Sequence, residues 1–180
     1  MILSALEKAL SGDRDEIVLL IYNVVAHLNQ NGIPQWDEVY PRASDVDEDL
    51  QKEQLYIVRA GRKIAGIITL NRESDPEYQN GDWRYRGPDY MVVHRLCVAP
   101  DMQGHGIGTR VMRMAEEMLR RNGVKSVRLD AFSQNPYSLR LYEKLGYRVA
   151  GEALWRKGLF YLMEKNIASE PEKYRKGATE

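Results

Sequence analysis

Cysteine is nearly absent: Cys97 stands alone in 180 residues, so no intrachain disulfide can form, which fits a reducing compartment. No apolar run approaches the roughly 20 residues that a membrane span needs. The first residues, Met1 to Lys8, carry neither an apolar signal core nor a small-residue cleavage site. These lacks predict a cytoplasmic protein with no membrane partner. Net charge is missing too, since 26 Lys and Arg balance 26 Asp and Glu. No overall basic field then argues for nucleic acid, and Arg110, Arg113, Arg120, Arg121 and Lys125 read as a solvated helix face. No internal repeat and no second core stand out. What is present is ordinary for a globular domain, 43% hydrophobic and 29% charged. Residues 1–166 read as one domain, and 167–180 as a charged tail with too few apolar residues to pack.

The start through Ala9 reads as a short strand or a helix fragment, and periodicity does not separate the two. Ser11-Gly12-Asp13 offers caps for a helix through about Asn29, with Ile17, Leu20, Ile21, Val24, Val25 and Leu28 on one face. A structured loop with two prolines and two large aromatics follows over 33–41, then a short acidic helix from Ser44 to Lys52. Leu55 to Arg59 and Lys63 to Leu70 form a hairpin about Gly61. The stretch Asn71 to Asp89 is a long polar and aromatic loop of the kind that is functional or mobile. Tyr90 to Val98 is a buried strand, Thr109 to Arg121 a helix, and Val124 to Ala131 a strand. Asn135-Pro136 opens a further helix, with asparagine as N-cap and proline in the first turn. Tyr147 to Gly151 and Leu159 to Glu164 close the domain as an antiparallel pair, with Ala153 to Gly158 between them.

The chemistry is carried by Leu96-Cys97-Val98 running into Gln103-Gly104-His105-Gly106-Ile107-Gly108-Thr109. Alternate glycines let the backbone approach a ligand closely, and the helix that follows offers unpaired N–H groups to the same place. Together they predict an anion site suited to phosphate. A nucleotide P-loop would need a Gly-Lys-Ser/Thr close, and Gly108-Thr109-Arg110 has no lysine. A dinucleotide fingerprint would place its last glycine one position later than Gly108.

The pattern that fits is Q/R-x-x-G-x-G/A, and it is joined by Asn135, Ser138, Tyr142, Glu143, Lys144, Leu145, Gly146 and Tyr147 at a fitting distance. With both motifs the chain resembles the GNAT acetyltransferase superfamily over nearly all of residues 1 to 166. The resemblance implies an α+β (α/β three-layer) fold: a mixed, mostly antiparallel sheet with a splayed central parallel pair, flanked by helices. It implies acetyl-CoA as co-substrate and no metal. The loop Gln103 to Thr109 would hold the pyrophosphate, and the open edge of Leu96, Cys97 and Val98 the pantetheine arm. Asn135 and Ser138 would touch that arm, and Tyr142, two helical turns beyond Asn135, would protonate the leaving thiolate. A backbone N–H, possibly that of Val98, would meet the oxyanion.

The rest is open at this level. Cys97 reads as a buried strand cysteine and not as a nucleophile. Some relatives carry a glutamate early on the first splayed strand, and this chain has none there. His94 is the nearest candidate for the base that must free the attacking amine, with Asp130 and Glu38 behind it. Trp36, Tyr40 and Trp83, with Tyr78, Tyr85 and Tyr90, occupy places that line the acceptor cleft in relatives. Packing or a dimer contact would account for the same aromatics, and many relatives are homodimers. Arg84 and Arg86 would suit a carboxylate on the acceptor, or lie on a solvated loop. The expected reaction is transfer of acetyl to a primary amine of unknown identity, on a small molecule, peptide or protein. A non-catalytic acyl-CoA sensor is the alternative.

Overall fold

The computed structural model describes residues 2–168, so the expected charged tail lies almost wholly outside the described residues. A seven-stranded sheet runs β1 (Glu7–Lys8), β2 (Leu55–Ala60), β3 (Lys63–Asn71), β4 (Tyr90–Val98), β5 (Ser126–Phe132), β7 (Gly158–Asn166), β6 (Arg148–Trp155) across its width. Every neighbouring pair is antiparallel except β4 and β5. Helices α1 (Arg14–Gln30) and α2 (Ala43–Gln51) cover one face, and α3 (Ile107–Arg121) and α4 (Pro136–Lys144) the other. This is the fold expected from the sequence.

The layers follow from the side-chain period of two along a strand. Leu55 and Ile57 of β2 and Ile64 and Ile67 of β3 bury against Ile17, Leu20, Ile21 and Val24 of α1. Val58, Ile68, Leu70, Val93, Leu129 and Met163 bury on the opposite face against Val111, Met112, Ala115 and Leu119 of α3. Helix α3 meets its partner with the apolar stripe that the sequence predicts.

Three local readings change. The closing strands extend further than expected, through Trp155 and from Gly158, so only Arg156 and Lys157 remain as the turn between them. The long segment after β3 contains a 3-10 turn at Pro76–Asn80. That segment is also pinned to the sheet. Backbone N–H groups of Arg84 and Tyr85 donate to the buried Glu164 carboxylate at 2.9 and 3.1 Å, and Arg148 Nη2 donates to it at 2.7 Å.

The feature that positions the site is a bulge in β4. Two steps of β3, Ile67 to Thr69, face three of β4, Cys97 to His94. Arg95 takes up the extra residue with a φ of 46°, a conformation that costs an L-residue with a long side chain free energy. The cost is offset by a buried ion pair. Arg95 Nε donates to Asp49 Oδ2 at 2.9 Å, and its Nη2 also bonds that carboxylate. Asp49 is 1% exposed and further accepts from Thr69 Oγ1 and Gln54 Nε2, each at 2.8 Å. Parallel pairing of β4 with β5 ends just before the bulge, at Val93 and Leu129. Beyond it the two strands part.

Candidate functional site

The gap between the parted strands opens into two cavities. The smaller, about 280 Å³, lies along Leu96, Cys97 and Val98, the glycine loop and the start of α4. Ala99 N–H donates to the Ala65 carbonyl of β3 at 2.9 Å. Backbone polar groups alternate sides along a strand, so those of Val98 turn toward the β5 side. Gln103 Nε2 donates to the Val98 carbonyl at 3.1 Å and ties the loop to the strand. Gly104 and Gly106 have φ of 78° and 73°. A Cβ added at either would meet nothing within 4 Å, so backbone conformation and not space is what calls for glycine here. Gly106 is the N-cap of α3, with no side-chain cap and no acidic residue in the first turn. The helix therefore presents uncapped N–H groups and its positive dipole end to the cavity.

Of the residues expected to hold the cofactor, all line this cavity except His105. The His105 ring instead lies 2.9 Å from the Gln103 carbonyl through Nδ1. Asn135 is a structural cap: its Oδ1 accepts from Tyr137 N and Ser138 N, each at 3.2 Å. Its Nδ2 donates to Gln35 Oε1 at 2.8 Å, across 100 positions of sequence. Gln35 carries no motif signal, and sequence reasoning missed it. Cys97 is buried, and that burial pushes its thiol well above the usual range. It has no thiolate for nucleophilic work at neutral pH.

The larger cavity, about 610 Å³, lies on the other side of the same gap. Gln35, Trp36, Leu96, Asp130 and Tyr142 line both cavities and form the wall between them. Tyr142 is buried, and desolvation together with nearby Asp130 raises its phenol well above the usual value. It stays protonated at pH 7 and so has a proton to give. Asp130 has its carboxyl pushed up to about 6 by burial, against the opposing effect of its bond from Tyr78. Tyr78 Oη donates to Asp130 Oδ2 at 2.9 Å.

Trp36 and Tyr40 line the larger cavity, as does His94. His94 Nε2 faces two acceptors, Asn71 Oδ1 at 2.9 Å and the Glu73 carbonyl at 3.2 Å. It therefore carries hydrogen on Nε2 and its lone pair on Nδ1. Burial, with Arg95 alongside, lowers its pKa and keeps the ring neutral at pH 7. Glu38 lines neither cavity.

Trp83 is a correction, because it stands behind the cavity wall. Its Nε1 donates to the Tyr78 carbonyl at 2.8 Å, and its ring stacks on Tyr78 with centroids 5.7 Å apart. The Arg128 guanidinium lies over the same ring, 4.4 Å from its centroid. The polar surroundings that tethered Tyr78 and Trp83 to the sheet were not visible in the chain order. Tyr85, Tyr90, Arg84 and Arg86 likewise line neither cavity, and the Arg86 side chain is 82% exposed beside Asp82. Arg84 and Arg86 thus lie on the solvated loop and not in an acceptor site.

Asp37 of the α1–α2 loop grips the β6–β7 turn, whose Arg156 and Lys157 line the larger cavity. Arg156 Nη1 and Nη2 each donate to Asp37 at 2.9 Å, and Lys157 Nζ at 3.1 Å. These cations hold the Asp37 carboxyl well below the usual carboxylate range.

Comparison with known proteins agrees with this geometry. The model of the Acetyltransferase (GNAT) family matches residues 21–147. The N-acetyltransferase YesJ of Bacillus subtilis is 23% identical, over 88% of this chain and 87% of its own. Among solved structures, a GNAT-family acetyltransferase of Streptococcus agalactiae superposes with a TM-score of 0.82 at 21% identity, covering 94% of this chain and 96% of that one. The yncA acetyltransferase of Salmonella typhimurium, solved with acetyl-CoA, superposes with a TM-score of 0.64 at 19% identity, covering 93% and 95%.

Proposed function

The chain belongs to the GNAT acetyltransferase family, and on that premise we propose that it moves an acetyl group from acetyl-CoA to a primary amine by direct attack while both are bound. The observation that carries this reading is the shared wall: a protonated phenol, Tyr142, and a carboxylate, Asp130, line both the cavity beside the glycine loop and a second, larger cavity. A sensor that only bound acyl-CoA would need no second cavity there.

The smaller cavity suits acetyl-CoA. Its uncapped helix start and left-handed glycines match a pyrophosphate, and the open strand edge at Leu96 and Val98 matches the amides of a pantetheine arm. Acetyl-CoA supplies an acyl carbon activated by a thioester. The chain supplies position, charge and protons. The acceptor arrives as an ammonium, with a reference pKa near 10, and sheds one proton to solvent to become nucleophilic. As the N–C bond forms and the C–S bond breaks, the nitrogen loses a second proton, which Asp130 accepts. Tyr142 gives its proton to the departing sulfur, and the N–H of Val98 meets the charge growing on the carbonyl oxygen. Proton exchange through solvent then returns Asp130 and Tyr142 to their starting forms, so one proton is released per turnover.

Asp130 takes the base role ahead of His94 because only Asp130 belongs to the shared wall. Its raised pKa also brings a carboxylate closer to the basicity that proton abstraction near neutrality requires. The test is CoA release from acetyl-CoA across a panel of amines, with Tyr142→Phe alongside. Wild type is expected to turn over at least one amine, and the variant to lose about a hundredfold or more in kcat. Failure to bind acetyl-CoA would overturn the reading, and an undiminished Tyr142→Phe enzyme would overturn the acid assignment.

A further inference from the structure

The charges around the larger cavity identify what occupies it. Six carboxylates and three Lys or Arg side chains line it, and each of those cations already faces a carboxylate. Arg95 is held by Asp49, and Arg156 and Lys157 by Asp37. His94 is neutral at pH 7, with its Nε2–H directed at Asn71 and Glu73. No lining cation among the described residues is left to receive a carboxylate on an acceptor.

The acids are not spent in the same way. Asp75 accepts no side-chain hydrogen bond or ion pair among the described residues. Among the described residues, the Asp45 carboxylate accepts only the backbone N–H of Arg42, at 2.6 Å. Asp130 is bonded by the Tyr78 hydroxyl and has no cation beside it. Between these acids the walls are aromatic, with Trp36, Tyr78, Trp155 and Phe160 all lining the same cavity. Ring faces attract ammonium ions and also shed water from methylene chains. Surplus carboxylate, aromatic walls and no free cation together describe a receptor for an aliphatic chain with more than one amine.

Resting on the acetyl-transfer reading above, we propose that the acceptor is a linear aliphatic diamine or longer polyamine. One of its nitrogens, made neutral, sits at the Tyr142 and Asp130 wall. A second, charged nitrogen is held by the surplus carboxylates of the cavity, Asp75 and Asp45. An amino acid presented through its carboxylate would meet a surplus of negative charge there, with each lining cation already facing a carboxylate, which makes it a poor acceptor.

The experiment uses three amines of matched length: 1,5-diaminopentane, n-pentylamine and 5-aminopentanoate. With the full-length enzyme and acetyl-CoA, kcat/KM for the diamine is expected to exceed that of each of the others by about tenfold or more. Added salt and Asp75→Asn should each shrink the diamine-to-pentylamine ratio several-fold. Equal or better turnover of 5-aminopentanoate or pentylamine would overturn the proposal. Calorimetry with the CoA-loaded enzyme separates this inference from the one it rests on. Diamine binding that Asp75→Asn weakens, without turnover of any amine, would support the occupant while overturning acetyl transfer. Absence of diamine binding would overturn the occupant even if another amine is acetylated.

Discussion

Asp130 is a buried carboxylate whose ionisation works against the fold. A carboxyl raised to about 6 holds its proton more tightly in the folded protein than in the unfolded chain, so ionising it costs stability. The cost is absent below about pH 4, grows between about 4 and 6, and is complete above that. Asp130→Asn is therefore expected to raise unfolding stability by about 1–3 kcal/mol at pH 8 and to leave it unchanged near pH 4, measured by denaturant titration. The same substitution removes the proposed base. For wild type, log kcat/KM is expected to rise with a slope near two below about pH 6, where both Asp130 and the amine must lose protons, and near one above it. The variant should show a slope near one throughout and lower values. An unchanged break near pH 6 in Asp130→Asn would assign it to another group. Not all of this was legible in the sequence. Tyr142 and Asn135 follow from motif spacing. Asp130 stood only among several candidate bases, because its burial is set by the fold and its side-chain partner, Tyr78, is 52 positions away. Arg95 reads as an ordinary strand residue, since nothing in Val93-His94-Arg95-Leu96 announces a positive φ. Its cause is Asp49 on another element. Asp49→Ala would leave the Arg95 guanidinium buried without its partner, at an expected loss of about 3 kcal/mol in chemical unfolding.

Among the elements, the glycine loop and α3 were the most legible part of the chain. Their signal is local: glycines at alternate positions, then an apolar face at helical spacing. The Gly106→Ala variant separates conformation from space. No atom lies within 4 Å of the added methyl, so the cost comes from forcing an L-residue into a left-handed φ, about 1–2 kcal/mol. The loop can escape that cost only by moving its N–H groups, and acetyl-CoA affinity is expected to fall about tenfold by calorimetry. Unaltered affinity would argue that these N–H groups do not hold the pyrophosphate. Strand ends were less legible. Leu154 is 75% exposed and Ala153 is buried, so Ala153 to Trp155 alternate as an edge strand does, yet the short run beside a Lys-Gly turn resembles a loop.

At the scale of the molecule, the family resemblance carried by the two motifs implied the layers and the parallel pair. The sequence could not show which loops meet over the gap. Gln35 and Asn135 join across 100 positions, and Asp37 and Arg156 across 119. The Asp37 grip holds the α1–α2 loop against the β6–β7 turn, whose Arg156 and Lys157 line the larger cavity. Asp37→Asn is expected to raise KM for the amine several-fold while leaving acetyl-CoA affinity unchanged, as read from initial rates and calorimetry. Equal changes in both would mean that the grip supports the whole fold and not one cavity. The central claim is that the two cavities meet at one reacting centre. It is tested most directly by mixing the enzyme with acetyl-CoA and 1,5-diaminopentane, then measuring free CoA and acetylated amine in the same samples. Equimolar release of both is expected, lost together in Tyr142→Phe. Acetyl-CoA bound and left intact with every amine offered would contradict it.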